Sequence, residues 1–178
     1  SLNNPDKIFI ILNEINELDL KILPPDINYS DYKFTVQEDK IIYGLAALKG
    51  VGEESMKELV TERNTNGKFK SLSDFNSRLS RSVLNKRQIE KLILSNSLNT
   101  LHLDISKLFA NVENIIQKKS SATLFNDVSD KQFFLNKDYV VIDQIKAEFE
   151  SYGFLYSQKK QTKILTNLNH SSFREKID

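Results

Sequence analysis

The sequence predicts a mainly α-helical chain carrying one short β-hairpin, and three observations predict it. Apolar residues recur at helical spacing through most of its length. Several of these runs start behind a residue suited to cap a helix. Two short apolar segments, 32–36 and 41–43, flank the polar turn Gln37-Glu38-Asp39-Lys40, the pattern of a β-hairpin.

Taken in order, Ile8, Ile11, Leu12, Ile15 and Leu18 define an opening amphipathic helix over residues 5–19. Pro24-Pro25 ends that region and forces Leu23 to be extended. After the β-hairpin comes a helix over 53–64 with Met56, Leu59 and Val60 inward and Gly67 in the loop beyond. Ser71 with Asp74, and Asn85 with Gln88, have the spacing of N-terminal caps and start two more helices. The second of these turns Ile89, Leu92 and Ile93 inward and ends at Asn96, a residue tolerated in the left-handed conformation. Asp104 caps a further helix bearing Ile105, Leu108, Phe109, Val112, Ile115 and Ile116, a stripe assigned to the core. Residues 140–152 complete the set, with Ile142, Ile145, Phe149 and Tyr152 on one face.

Three of the five glycines fall within Gly44-Leu45-Ala46-Ala47-Leu48-Lys49-Gly50-Val51-Gly52. This reads as a helix-hairpin-helix turn. Leu48 and Val51 plug the space between two short helices, while Gly50 and Gly52 permit positive φ and let another backbone approach. The turn amides, with those opening the next helix, suit one phosphate oxygen. The implied role is sequence-independent contact with a nucleic-acid backbone through Leu48, Lys49, Gly50, Val51 and Gly52. The alternative is a hairpin that merely joins two packed helices. Glu53 and Glu54 suit a helix N-terminus but repel a phosphate.

Charge distribution bears on that choice. Residues 44–101 hold ten Lys/Arg and six Asp/Glu, whereas the rest of the chain is net −3. Lys49 lies in the turn, and Arg78, Arg81, Lys86, Arg87 and Lys91 follow it, so the module has a modest basic footprint. At 178 residues, 39% hydrophobic, the chain can bury one or two modest cores. With no Cys and two scattered His, disulfide frameworks and Cys/His metal clusters are excluded. No apolar run reaches membrane-spanning length, and the start at Ser1 is neither an initiator Met nor a signal peptide. The expectation is an excised piece of a larger cytoplasmic protein.

Residues 120–127 set the apolar pair Leu124-Phe125 among polar neighbours without helical or strand periodicity. Such a pair either docks in a partner's pocket or folds onto its own core.

Four strings now add up. They are Lys21-Ile22-Leu23-Pro24-Pro25-Asp26-Ile27-Asn28, the glycine string with Ile42-Tyr43 before it, Lys68-Phe69-Lys70-Ser71-Leu72-Ser73-Asp74-Phe75, and Leu84-Asn85-Lys86-Arg87-Gln88-Ile89-Glu90-Lys91-Leu92-Ile93. Their order and spacing strongly resemble the bacterial family C replicative polymerases, the alpha subunits of DNA polymerase III. The resemblance implies that residues 1–43 end the fingers domain. It makes 44–101 a tandem helix-hairpin-helix module on duplex DNA, 102–137 a helix with a flexible clamp-binding segment, and 138–178 a linker helix toward a following domain. It also implies that Ser121, Ala122, Thr123, Leu124 and Phe125 dock on the sliding clamp, with the other subunits of the replicative holoenzyme as partners of the parent. Residues 148–157 are similar to the family's helix before its oligonucleotide-binding barrel.

Three positions depart from the family pattern. Ser121 stands where Gln is usual, Asn96-Ser97-Leu98-Asn99 where Gly-Ala-Phe-Asp is usual, and Gln158-Lys159-Lys160 where Gly-His-Pro is usual. The second hairpin is therefore degenerate. Nucleotidyl transfer in the parent uses Mg²⁺ held by closely spaced aspartates. No Asp-x-Asp occurs here, so the expectation is a segment without catalytic residues or cofactor of its own, inactive alone. A helix-hairpin-helix module of a repair or recombination protein without clamp contact is the alternative, and a purely structural interaction domain is a third.

Overall fold

A computed structural model describes residues 4–18, 20–117 and 130–157. Among these residues there are seven α-helices and a three-stranded sheet: α1 Pro5–Glu17, β1 Lys21–Leu23, β2 Thr35–Gln37, β3 Lys40–Ile42, α2 Glu53–Asn66, α3 Leu72–Arg78, α4 Lys86–Leu94, α5 Ile105–Ala110, α6 Val112–Gln117 and α7 Gln144–Tyr152. The chain is mainly α with a small β element, as its periodicity predicts.

The caps form where the side chains call for them. Ser71 accepts from the Asp74 amide at the start of α3, and Asp104 accepts from the Lys107 amide at the start of α5. Asn85 and Gln88 form a reciprocal capping box that opens α4. At the other end of α4, Asn96 takes φ 60°.

The hairpin turn is tighter than the sequence suggests. β2 and β3 pair antiparallel with Gln37 opposite Lys40. Glu38 and Asp39 alone make the turn, at φ 47° and 61°, the two positive values a two-residue hairpin needs. The sheet gains a third strand: β1 runs parallel to β3, Ile22 opposite Ile41.

Three helices differ from expectation. In α1 only Ile8 and Leu12 are buried, Ile15 is partly so, and Ile11 and Leu18 face solvent. The 104–117 stripe is broken into α5 and α6 at Asn111, which is fully buried. Its side chain bridges to the backbone of Asn136, donating to its carbonyl at 3.2 Å and accepting from its amide at 2.8 Å. That clasp outweighs uninterrupted helix. Finally, α7 starts at Gln144 because Asp143 caps it. Its buried side is Ala147, Glu148, Ser151 and Tyr152, leaving Ile145 51% and Val140 89% exposed. Glu148 is held inside by the amide and hydroxyl of Ser157, at 2.9 and 3.0 Å.

One core joins all of these. Ile27, Tyr43, Leu45, Met56, Phe75, Leu84 and Phe133 are among its most buried side chains. The loop after β1 locks onto α2 and the segment before α3. Asn28 pairs with the Phe69 backbone in both directions, at 2.8 and 2.9 Å. Arg63, buried in the last turn of α2, donates to the carbonyls of Ile27 and Ser30 at 2.9 and 2.6 Å. Burial pushes the Arg63 guanidinium below its ordinary value, against the opposing pull of Asp31 and Asp26.

Candidate nucleic-acid interface

The glycine segment forms the hairpin that its spacing predicts. A single 3₁₀ turn, Leu45–Ala47, supplies the first helix and α2 the second. Leu48 and Val51 are buried between them, 3% and 0% exposed, each stabilising the hairpin by about 1.5–3 kcal/mol. Gly50 and Gly52 take φ 80° and 77°. A Cβ on Gly50 would meet nothing within 4 Å, so this point of the turn faces open space.

Within the chain itself, close backbone approach occurs at another glycine. It falls at Gly44, where a Cβ would lie 2.5 Å from the Lys33 carbonyl carbon. Gly44 seats the hairpin against the segment leading into β2, while Gly50 and Gly52 supply the positive φ of the turn.

The turn is pinned at both ends. The Lys49 amide donates to the Ser151 carbonyl of α7 at 2.7 Å, so that amide is consumed internally rather than open to a ligand. On the other side, Gln88 of α4 donates to the Val51 carbonyl and to the Ser55 hydroxyl. Among the described residues no hydrogen bond engages the amides of Gly50 and Gly52, and the opening amides of α2 lack helical partners by construction. Around them lies a depression of about 570 Å³ lined by Pro5, Ala46, Leu48, Lys49, Gly50, Gly52 and Gln88. Exposed amides, positive φ and a helix N-terminus make a cradle for one anionic oxygen.

The basic cluster is smaller than its residue count. Arg78 is tied to Glu62 and Asp74, and the hydrogen bond from Arg78 holds the Glu62 carboxyl below its usual range. Arg81 donates to Asn76 and the Ile116 carbonyl. Lys86 pairs with Glu113 and lies 3.8 Å from Glu90. Lys91 donates to the carboxylate and the carbonyl of Glu150, both at 2.7 Å. Arg87 is exposed, as is Lys49, whose ammonium sits 5.8 Å from the Phe149 ring centre. Of these two cations Lys49 lines the depression, and among the described residues neither has a salt bridge.

Sequence reasoning missed the two pins. Gln88 was legible only as a cap, and nothing in Ser151 announces a carbonyl acceptor for a turn far upstream. Ser121, Ala122, Thr123, Leu124 and Phe125 lie outside the described residues. Among the described residues no three His, Cys, Asp or Glu side chains converge as a metal site, and no helix is long and apolar enough to cross a membrane.

The family profile for the helix-hairpin-helix motif matches residues 19–108, just over half of the 178 residues, and the chain belongs to that family. More particularly, the chain is similar to one segment of the alpha subunit of DNA polymerase III. It is 38% identical to that subunit of Vibrio cholerae over 120 residues, 67% of this chain and 10% of the relative. It is 32% identical to that of Buchnera aphidicola subsp. Schizaphis graminum over 157 residues, 83% of this chain and 14% of the relative. The Campylobacter jejuni subunit matches at 28% over 195 residues, 99% of this chain and 16% of the relative. The chain thus spans about a tenth to a sixth of these relatives' length. The resemblance carried by the four strings is therefore borne out.

Proposed function

We propose that the chain is the duplex-contacting and clamp-tethering segment of a replicative DNA polymerase whose parent performs template-directed DNA synthesis in the cytoplasm. The single observation that carries the reading is the outward glycine turn, Gly50 and Gly52 at positive φ with open space beyond Gly50, in a chain matched to DNA polymerase III alpha subunits. The turn would take one phosphate oxygen of the product duplex, with Lys49 beside it for charge. Contact of that kind holds a duplex without reading its sequence.

In this reading residues 1–43 close the fingers domain, 44–101 grip the duplex, 102–137 carry the clamp peptide and 138–178 lead to the next domain. The segment adds no catalytic group. Mg²⁺ belongs to the parent's catalytic region, and other holoenzyme subunits bind through the parent. Tethering raises processivity by keeping the polymerase at high effective concentration beside a clamp that encircles DNA.

Two titrations test the two halves. Duplex DNA should bind weakly, irrespective of sequence, and affinity should fall as salt rises because the contacts are to phosphates. No binding at low salt would overturn the DNA half. Calorimetry with the cognate clamp should show binding that Leu124→Ala/Phe125→Ala eliminates, since two apolar anchors of about 2 kcal/mol each are removed. Ser121→Gln should tighten it, because a longer amide reaches partners that a hydroxyl cannot. Equal affinities across the three chains would make residues 121–125 a linker.

A further inference from the structure

Gln88 enters the sequence reading only as the third residue of a capped helix, yet the structure gives its amide two faces. Its Oε1 accepts from the Asn85 amide at 2.9 Å, completing the capping box. Its Nε2 therefore points the other way, where it donates to the Val51 carbonyl and, at 2.9 Å, to the Ser55 hydroxyl. Flipping the amide would set oxygen against the Val51 oxygen and nitrogen against the Asn85 N–H, so the network fixes the orientation.

The consequence follows from peptide geometry. The Val51 carbonyl and the Gly52 N–H belong to one planar trans peptide and point in opposite directions. Holding the carbonyl toward α4 turns the Gly52 N–H away from it. Gly52 is exposed, and a peptide next to glycine rotates at little cost, so an unpinned Val51–Gly52 unit would sample both directions.

We propose that Gln88 is a positioning residue for the anion cradle: it locks the Val51–Gly52 peptide with its N–H outward, ready to donate to a phosphate oxygen of a polynucleotide backbone. The inference rests on the duplex-contact reading above and deepens it. A pre-set donor needs no ordering when the ligand arrives, which is where such a lock gains affinity. At the other end the Ser151 carbonyl holds the Leu48–Lys49 peptide by its N–H, which steadies the turn but offers no donor from that peptide.

The test separates the lock from the cap. Gln88→Met keeps side-chain length and removes both functions, whereas Asn85→Ala weakens the cap and leaves the Nε2 donor in place. In the free 178-residue chain, the Gly52 amide and Val51 carbonyl resonances should move in Gln88→Met and stay in Asn85→Ala. Affinity for a low-salt duplex should drop about five-fold in Gln88→Met, as for loss of one neutral hydrogen bond, and by less than about two-fold in Asn85→Ala. Unmoved resonances in Gln88→Met, or equal losses in the two variants, would overturn the positioning role while the duplex reading stands. Failure of the unsubstituted chain to bind duplex would instead overturn the duplex reading, and the purpose assigned to Gln88 with it.

Discussion

The turn at residues 48–52 and the turn that follows α4 start from the same plan and end with opposite fates. Both join two helices, and both hold a residue at positive φ, Gly50 at 80° and Asn96 at 60°. In the first, the apolar plugs go inward and the glycines face solvent. In the second, the polar residues themselves are buried: Ser95 and Ser97 are 1% and 0% exposed and bonded to each other at 2.7 Å. The Ser97 carbonyl accepts from the Ile27 amide at 2.9 Å, and the Ser95 carbonyl from the Tyr152 hydroxyl at 3.0 Å. A hairpin can offer its backbone to a ligand only if the rest of the chain has not already claimed it. The second turn is claimed by the loop after β1 and by α7.

The largest expected effect comes from spoiling the open turn. Lys49→Glu with Gly50→Val removes the local cation, adds a repelling carboxylate and plants a β-branched side chain where the ligand would sit. Duplex binding should become undetectable in a low-salt titration. Retained affinity would make the first turn as structural as the second.

A smaller effect is expected at the second turn. Asn96→Val imposes similar backbone strain at φ 60°, costing about 1–3 kcal/mol in denaturant unfolding. Duplex affinity should stay within about two-fold, a change worth under about 0.5 kcal/mol. Matched strain with unmatched binding is what separates the turns.

The smallest effect concerns the docking of α7 beside the first turn. The hydrogen bond from Lys91, first among its causes, holds the Glu150 carboxyl below its ordinary 4.5. A group depressed on folding contributes stability above its unfolded value and loses it as pH falls through the folded one. The stability difference between the natural chain and Glu150→Gln should therefore be present at neutral pH and vanish in acid. Glu150 is 47% exposed, so the difference should stay below about 1 kcal/mol. A difference that persists in acid would assign the effect to packing.

What could be read from the sequence was whatever local chemistry decides. The capping residues Ser71, Asn85 and Asp104, the conformations of Gly50, Gly52 and Asn96, and the inward Leu48 and Val51 each follow from one residue type at one spacing. What escaped depends on partners distant in the chain. A parallel strand such as β1 leaves no turn signal. Asn111 breaks a helix for the sake of Asn136, Arg63 enters the core to reach two carbonyls after β1, and α7 buries Ala147, Glu148 and Ser151 in place of its isoleucine. The net charge of the module was legible; the loss of Lys86 and Lys91 to internal pairs was not, because Glu113 and Glu150 lie outside the counted stretch.

The contrast between the turns is tested most directly by following backbone amides in a ¹⁵N-correlated NMR titration with a short duplex. The account predicts that Gly50, Gly52, Glu53 and Glu54 shift together, in a salt-dependent manner, while Asn96, Ser97 and Asn99 hold their positions. Shifts centred on residues 95–99, or none at residues 50–54 while the duplex binds, would contradict it.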